Sequence, residues 1–163
     1  MTKNACFRIA MTVLACAAFS AAAAGDVELQ GWGPRVGATD DPDQIVAGVH
    51  FDMGEIAPHI RWQPNFEIGF GDDWKSLSGN VLFAYYFGRQ GRFHPYAGGQ
   101  LAIVYFDHDE DAFDDRSDGN TEFGFDAVGG FEFPLGSATR MLFELQLGFG
   151  DIHDAKIVAG WKF

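Results

Sequence analysis

Apolar and polar residues alternate along the chain in short segments, which are separated by stretches rich in Gly, Pro and Asp. The alternation is clearest in the last nine residues, whose apolar members include Ala155, Ile157, Ala159, Trp161 and Phe163. Because side chains at every second position of a β-strand lie on the same face, this stretch is predicted to be a strand with one apolar face.

The same period of two recurs upstream and predicts an all-β chain of eight antiparallel strands that run up and down in sequence order. Beyond residue 24, no apolar run approaches the roughly 18 residues that a membrane helix needs. Pro64 interrupts the third segment and predicts a local bulge, because proline cannot donate a hydrogen bond to a strand ladder. The predicted strands span residues 27–36, 45–52, 59–70, 80–87, 95–105, 122–133, 140–149 and 155–163.

The connections between these strands divide into two groups, according to the end of the sheet at which they fall. One end holds the connections at 53–57, 88–92 and 134–138. The connections at the other end are longer or more acidic, and residues 107–120 hold seven acidic residues against one basic residue. This second group spans 37–43, 71–76, 107–120 and 150–153.

The N-terminus has the features of an export signal. A positively charged start is followed by an uncharged, largely apolar run and by Ala22-Ala23-Ala24, which supplies a cleavage site. This predicts a signal peptide over residues 1–24 and a mature domain over residues 25–163. An uncleaved membrane helix and lipoprotein processing at Cys16 are the alternatives. Since the other cysteine is Cys6, we expect no disulfide in the mature domain.

The closing strand resembles the C-terminal signature of bacterial outer-membrane β-barrel proteins, in which a strand with an aromatic end completes the barrel. The Pro95-Tyr96-Ala97-Gly98 opening of the fifth segment is also similar to this family. The resemblance is to small barrels of the OmpA/OmpX type. It implies a closed eight-stranded transmembrane β-barrel in the cell outer membrane, in contact with outer-membrane lipid. It also implies that the barrel-assembly machinery reads Trp161 and Phe163 as an assembly signal.

The polar face of the strands distinguishes a transmembrane barrel from a soluble lipocalin-like barrel, which keeps its apolar residues inside. Here the polar face mixes glycines with charges of both signs, and glycine makes room for long charged side chains inside a narrow barrel. Buried charges need partners, so we expect a salt-bridge network in the lumen. Its candidate members are Glu28, Asp52, Arg61, Glu67, Glu122, Asp126, Glu132, Arg140, Glu144, Lys156 and Lys162.

Two groups of residues are candidate metal ligands. Asp107, Asp109 and Asp111 are spaced like the start of a calcium loop, but the Gly and the final Glu of the EF-hand pattern are missing. They are weak divalent-cation candidates in an acidic loop that is otherwise expected to be solvated. A second group would offer imidazoles with a carboxylate, yet its spacing matches no metal motif. Its members are His50, Asp52, His59 and His94.

Catalysis finds little support in the sequence. A lipid-modifying barrel enzyme would need a His with a Ser or an acid near the outer rim, and His108, His153 and Ser117 are candidates by location only. We therefore expect a protein that is not an enzyme and needs no cofactor.

The charge balance bears on the partners. The chain has 11 basic and 23 acidic residues, a net charge of −12, which makes nucleic acid an unsuitable partner. We expect an integral outer-membrane protein with a structural or surface-interaction role, acting through acidic loops that attract divalent cations or a basic surface partner. A narrow porin-like channel is the alternative. A lipid-modifying enzyme or a soluble lipocalin-like barrel is the second alternative.

Overall fold

The computed structural model of the protein describes residues 27–71, 74–88, 92–108 and 120–163. The predicted signal peptide lies outside these residues. The described chain is all β, and no helix long and apolar enough to cross a membrane occurs within it. Its strands are β1 (Gly31–Asp40), β2 (Gln44–Asp52), β3 (Glu55–Ala57), β4 (Ile60–Phe70), β5 (Trp74–Tyr86), β6 (His94–His108), β7 (Asn120–Pro134), β8 (Arg140–Gly150) and β9 (Ala155–Lys162).

Eight of these strands form a closed antiparallel barrel, as the alternation predicts. Each strand pairs with the next, and β9 returns to pair with β1, where Val36 lies opposite Ala159. The short β3 pairs with the start of β4, where β2 no longer does, so it is not a ninth strand of the ring. Closure leaves the ring without a free edge, because each of its eight strands has a neighbour on both sides.

The barrel has two ends that differ in what they carry. We call the end at which β1 begins and β9 ends the terminal end, and it also holds the connections 53–59, 87–93 and 135–139. The opposite end, which we call the loop end, holds the connections 41–43, 71–73, 109–119 and 151–154.

The two faces of the barrel wall differ in polarity, with the apolar face outside. Ile45, Phe123 and Ile157 are 70%, 67% and 61% exposed on the exterior. The lumen buries charged and amide side chains instead, although apolar residues from β5, β6 and β7 also line part of it. Soluble barrels have the reverse arrangement, so this distribution is that of a barrel whose solvent is lipid.

The first strand begins and ends later than predicted. β1 spans Gly31–Asp40, whereas the sequence suggested 27–36 followed by a turn. Gly37 belongs to the strand because a Cβ there would lie 2.3 Å from the Ile157 carbonyl oxygen, so the residue permits close approach of β9. Glu28, which was expected in the lumen, precedes β1 and is exposed.

The bulge predicted at Pro64 is wrong. β4 pairs with β5 in unbroken register through this position, where Pro64 lies opposite Val81. On the other side of β4, the ladder with β2 ends at Asn65, and the next backbone bond is donated by Trp62 to Gly54. Pro64 therefore lies in a gap where no N–H is needed. The irregular register occurs in β3 instead, between Glu55 and Ala57.

The connections at the loop end were predicted to be longer or more acidic, and by sequence all four hold at least two acidic residues, but the difference in length is wrong for three of them. At the loop end, residues 41–43, 71–73 and 151–154 are shorter connections than those at the terminal end. β5, β6 and β7 extend towards the loop end beyond their predicted limits, as far as Trp74, His108 and Asn120. The extended start of β5 still turns one face towards the lumen, where Ser76 and Ser78 are buried, but these small polar residues look like part of a loop in the sequence.

Candidate functional site: the filled lumen and its two mouths

The terminal end of the lumen is organised around Lys162. Its Nζ donates to Asp52 Oδ2 at 2.8 Å and to Glu132 Oε1 at 2.7 Å, which joins β9 to β2 and β7. Two arginines reach the same carboxylates from the other side. Arg61 Nη2 lies 3.0 Å from Asp52 Oδ2, and Arg140 Nε donates to Glu132 Oε2 at 2.9 Å. Three cations thus converge on two buried acids.

A second charged cluster crosses the middle of the barrel around Arg35. Its Nε lies 2.8 Å from Glu67 Oε1 and its Nη2 donates to Glu144 Oε2 at 2.8 Å. Lys156 Nζ donates to Glu67 Oε2 at 2.9 Å, and the Tyr96 hydroxyl donates to Glu144 Oε1 at 2.8 Å. The cluster joins β1, β4, β6, β8 and β9, so opposite walls of the barrel are tied together through its centre.

Amide side chains fill the space beside this cluster. Asn80 Nδ2 donates to Asn65 Oδ1 at 2.8 Å, and Asn65 Nδ2 donates to Gln100 Oε1 at 3.1 Å. Gln100 Nε2 then donates to Asp126 Oδ2 at 2.8 Å and to Gln146 Oε1 at 3.1 Å. Such a chain satisfies buried polar atoms without adding net charge, and it makes this layer of the lumen solid.

The connection 151–154 folds into the mouth at the loop end and covers part of it. Ile152 is buried among Ala102, Val104 and Phe106. The neighbouring His153 has its Nε2 3.0 Å from Asp126 Oδ1. An apolar plug and an ion pair that forms when the imidazole is protonated therefore lie directly above the amide layer.

A large cavity lies at each mouth of the lumen. A cavity of about 410 Å³ lies at the loop end, and one of about 430 Å³ lies at the terminal end. Between them, beside Glu67 and Lys156, the lumen holds a cavity of about 20 Å³, which is room for about one water molecule. The described side chains fill the middle of the barrel.

The predicted lumen residues fall into separate groups. Arg61 and Arg140 belong to the cluster at the terminal end, and Glu67, Glu144 and Lys156 belong to the cluster around Arg35. Asp126 and Glu122 lie nearer the loop end. Asp126 pairs with His153, and half-buried Glu122 lines the loop-end cavity.

The candidate metal ligands are not brought together where the structure describes them. Among the described residues, no group of three or more His, Cys, Asp or Glu side chains could hold a metal ion. His50 is buried in the lumen, His59 is exposed with its ring 5.8 Å from that of Tyr85, and His94 contacts Arg140. The side chain of Asp107, as well as Asp109 and Asp111, lies outside the described residues.

The catalytic candidates are placed only in part. His153 points into the lumen towards Asp126. The side chain of His108 and the whole of Ser117 lie outside the described residues. Trp161 and Phe163, the predicted assembly signal, lie on the exterior at the terminal end, where the Phe163 ring is 6.3 Å from that of Trp32.

Sequence reasoning missed Arg35, the residue that ties the central cluster together. The signal was present, because Arg35 lies two residues from Gly33 and from Gly37 and therefore shares their inward face. It was missed because Val27 and Leu29, which precede β1, were taken to mark the apolar face of the predicted strand 27–36, and Arg35 falls on that face. Tyr86 and Tyr96 were also missed as lumen donors, since only charged residues were chosen as candidates for the lumen network.

Comparison with known proteins supports the fold. No family model matches the sequence, and no curated protein matches it significantly. The crystal structure of Neisserial surface protein A is similar with a TM-score of 0.62 at 11% identity, over 81% of this chain and 93% of that one. The N-terminal β-barrel domain of Pseudomonas aeruginosa OprF is similar with a TM-score of 0.61 at 13% identity, over 83% and 98%. The fold is that of the small eight-stranded outer-membrane barrels.

Proposed function

We propose that this protein is an integral outer-membrane β-barrel with a structural or surface-interaction role at its loop end and no catalytic activity. The apolar exterior and the likeness in fold to outer-membrane barrels support the location. The terminal end then faces the periplasm and the loop end faces outwards, as in barrels whose chain begins and ends on the inner side.

The filled lumen is the observation that carries this proposal. A channel needs a continuous path of water, whereas the centre of this barrel is crossed by the Arg35 cluster and by the amide layer. The mouth at the loop end is further covered by Ile152. This favours a rigid scaffold for an outer surface over the alternative of a narrow porin-like channel.

The chemistry of the loop end favours a cationic partner. Four carboxylates line its cavity, those of Asp41, Glu122, Asp151 and Asp154, while Phe106 and Ile152 form an apolar part of the lining. The connection 109–119 adds further acids by sequence. Clustered negative charge attracts divalent cations or a basic surface partner, most strongly at low ionic strength.

The experiment replaces residues 108–118 by a Gly-Asn turn in the mature chain, refolded in neutral detergent. Loop length contributes little to the free energy of unfolding, so the variant is expected to fold. We expect it to bind calcium and an oligolysine peptide more weakly at low salt, because six acidic residues are removed while the four carboxylates of the cavity remain. Glu55→Gln, which removes one acid at the terminal end, is the control and is expected to bind both probes unchanged.

Planar-bilayer recording tests the channel alternative with the same proteins. We expect no stable single-channel current from the refolded chain, because its lumen is filled. Stable currents that survive the loop replacement, and that disappear when Arg140 and Glu144 are replaced by Leu without loss of fold, would assign the protein to the channels.

Export and assembly form a separate part of the proposal. Residues 1–24 direct export, and the barrel-assembly machinery recognises the aromatic end of β9. Phe163→Asp is expected to abolish insertion in cells, whereas Phe163→Leu is expected to reduce it less, because leucine keeps an apolar terminus in the interface. Insertion is measured as the amount of heat-modifiable protein in the outer-membrane fraction, and equal amounts for both variants would contradict recognition through Phe163.

A further inference from the structure

The terminal-end cavity, at the opposite end from the proposed interaction surface, has the features of a ligand site. It has a volume of about 430 Å³, and its lining includes Arg61, Arg140 and Lys162. Cavities of this size are typical of small-molecule sites. We infer that this cavity binds an oxyanion, a carboxylate or a phosphate group, between the guanidinium groups of Arg61 and Arg140.

The charge balance at the floor of the cavity favours an anion. Asp52 and Glu132 are buried there, and both accept hydrogen bonds from Lys162. Arg61 and Arg140 add two further cations to the same two acids, so the cluster carries one more positive than negative charge. Glu55 also lines the cavity opposite Arg61 in the β3–β4 register and brings the formal charge of the whole lining, His94 aside, to zero. It is exposed at the rim, where water and salt screen its charge more than the charges at the floor.

The two arginines keep hydrogen-bond donors for a ligand. A guanidinium group has five N–H donors. Arg61 contacts Asp52 through Nη2, which leaves Nη1 outside this contact, while its Nε is buried and does not face the cavity. Arg140 donates through Nε to Glu132 and contacts His94 Nδ1 through Nη2 at 2.6 Å, which leaves Nη1 outside these two contacts. Unused guanidinium donors match the oxygens of carboxylate and phosphate groups.

The arginine side chains are held in place and are still accessible. The Arg61 guanidinium carbon lies 5.5 Å from the centre of the Tyr86 ring, and the Tyr86 hydroxyl is fixed by a 2.7 Å hydrogen bond to Glu132. The side chains of Arg61 and Arg140 are 20% and 29% exposed, compared with 8% for Lys162. The arginines therefore form the reachable wall of the site, and Lys162 forms its floor.

The experiment follows the arginine Nε–H resonances of the refolded mature chain in neutral detergent while inorganic phosphate is added. We expect saturable shifts at Arg61 and Arg140, and none at Arg35, which lies between Glu67 and Glu144 in the middle of the lumen. Dihexanoyl phosphatidic acid is titrated in parallel. Saturation by inorganic phosphate assigns the site to a free oxyanion, and saturation by the lipid alone assigns it to a headgroup.

Variants separate a site from general attraction to a cationic end. Arg140→Gln is expected to raise the dissociation constant for the bound probe about tenfold, the size of one charge-assisted hydrogen bond. Arg140→Lys keeps the charge and is expected to restore part of the affinity. Such a recovery would show that the loss in Arg140→Gln does not come from misfolding. Arg92→Gln removes an exposed charge from the same end of the barrel and is expected to leave binding unchanged.

Non-saturating shifts, or equal losses of affinity in the Arg92 and Arg140 variants, would overturn the proposed site. Because these readouts are confined to the terminal end, they are independent of the tests at the loop end.

Discussion

At the scale of single residues, the stability of the barrel depends on cations that each serve two acids. Lys162 is the clearest case, because its ammonium group bridges Asp52 and Glu132 across the lumen. Removing one member of a buried ion pair leaves an uncompensated charge and typically costs about 3–5 kcal/mol. Lys162→Met is expected to lower the free energy of unfolding by about this amount, measured by urea titration in lipid vesicles.

A lysine outside the lumen provides the matched control for this prediction. Lys75 is exposed near the start of β5. Surface substitutions usually change stability by no more than about 0.5 kcal/mol, so Lys75→Met is expected to unfold close to the parent protein. If both methionine variants unfold at the same urea concentration, the ion pairs of Lys162 add nothing to stability.

Two buried polar residues of similar burial differ in their hydrogen bonds. Neither ring nitrogen of His50 has a hydrogen-bond partner, whereas Asn65 donates to Gln100 and accepts from Asn80. Replacing a side chain that makes no hydrogen bond breaks no hydrogen bond. Replacing one that makes two leaves both partners buried and unsatisfied, which costs about 1–3 kcal/mol of stability for each partner. Asn65→Leu is therefore expected to be clearly less stable than His50→Leu, by the same urea titration. The opposite order would show that His50 makes contacts that the structure lacks.

The sequence allowed residues to be assigned to faces but not to partners. That Glu67, Glu144 and Lys156 point inward follows from the period of two, and the structure buries all three. The pairing of Arg35 with Glu144 joins residues 109 positions apart, and that of Lys162 with Asp52 joins residues 110 positions apart. Such pairs are set by strand register and barrel closure, which alternation does not determine.

At the scale of elements, barrel closure depends on the junction of the first and last strands. Trp32 and Phe163 exchange backbone hydrogen bonds at 3.3 and 2.9 Å, which extends the pairing of β1 with β9 to the end of the chain. Gly33 lies within this junction, and a Cβ there would be 1.6 Å from the Trp161 carbonyl oxygen. The closing strands can approach only because this side chain is absent.

Alanine substitutions test this junction. Gly33→Ala is expected to prevent β1 and β9 from pairing near Trp161, and so to reduce the yield of the compact, heat-modifiable form in gel mobility. Gly129→Ala in β7 is the control, since no atom lies within 4 Å of the position of its Cβ. It should fold with the parent yield. A Gly33 variant with the same yield would show that closure tolerates a side chain at this position.

The limits of the strands were the least predictable feature at this scale. Strands were recognised where the apolar residues of an alternating segment lie on the exterior. The predicted strands 140–149 and 155–163 differ from β8 and β9 by one residue at a single end. Prediction failed at the start of β5 and at the end of β1. There residues such as Ser76, Gly37 and Asp40 look like loop residues, although the barrel pairs them as strand residues.

At the scale of the whole molecule, the protein is a barrel with a filled lumen and an apolar exterior. Two charged clusters and an amide layer fix its interior, so variation in function is confined to the two mouths. The terminal mouth is built from strand residues whose positions are fixed by packing, whereas the loop mouth adds the acidic connection 109–119. Sequence alone suggested the acidic end, because charge is visible in composition. It did not suggest the arginine pair, whose two members come from different strands, β4 and β8.

The apolar exterior leads to a prediction about how the effect of a substitution depends on the depth of the residue in the bilayer. Leu145 lies in the middle of β8 and Leu135 lies in the connection 135–139, and they are similarly exposed at 51% and 56%. An arginine on the lipid-facing side costs about 2–4 kcal/mol at the bilayer midplane and about 0–1 kcal/mol near the interface. Leu145→Arg is therefore expected to reduce the free energy of unfolding in vesicles by the larger amount and Leu135→Arg by the smaller. In a barrel surrounded by water, both substitutions would be tolerated because both positions are exposed. Equal, small effects of the two would thus contradict a membrane-spanning barrel, while a large effect confined to Leu145 is explained by the hydrocarbon around the middle of the strands.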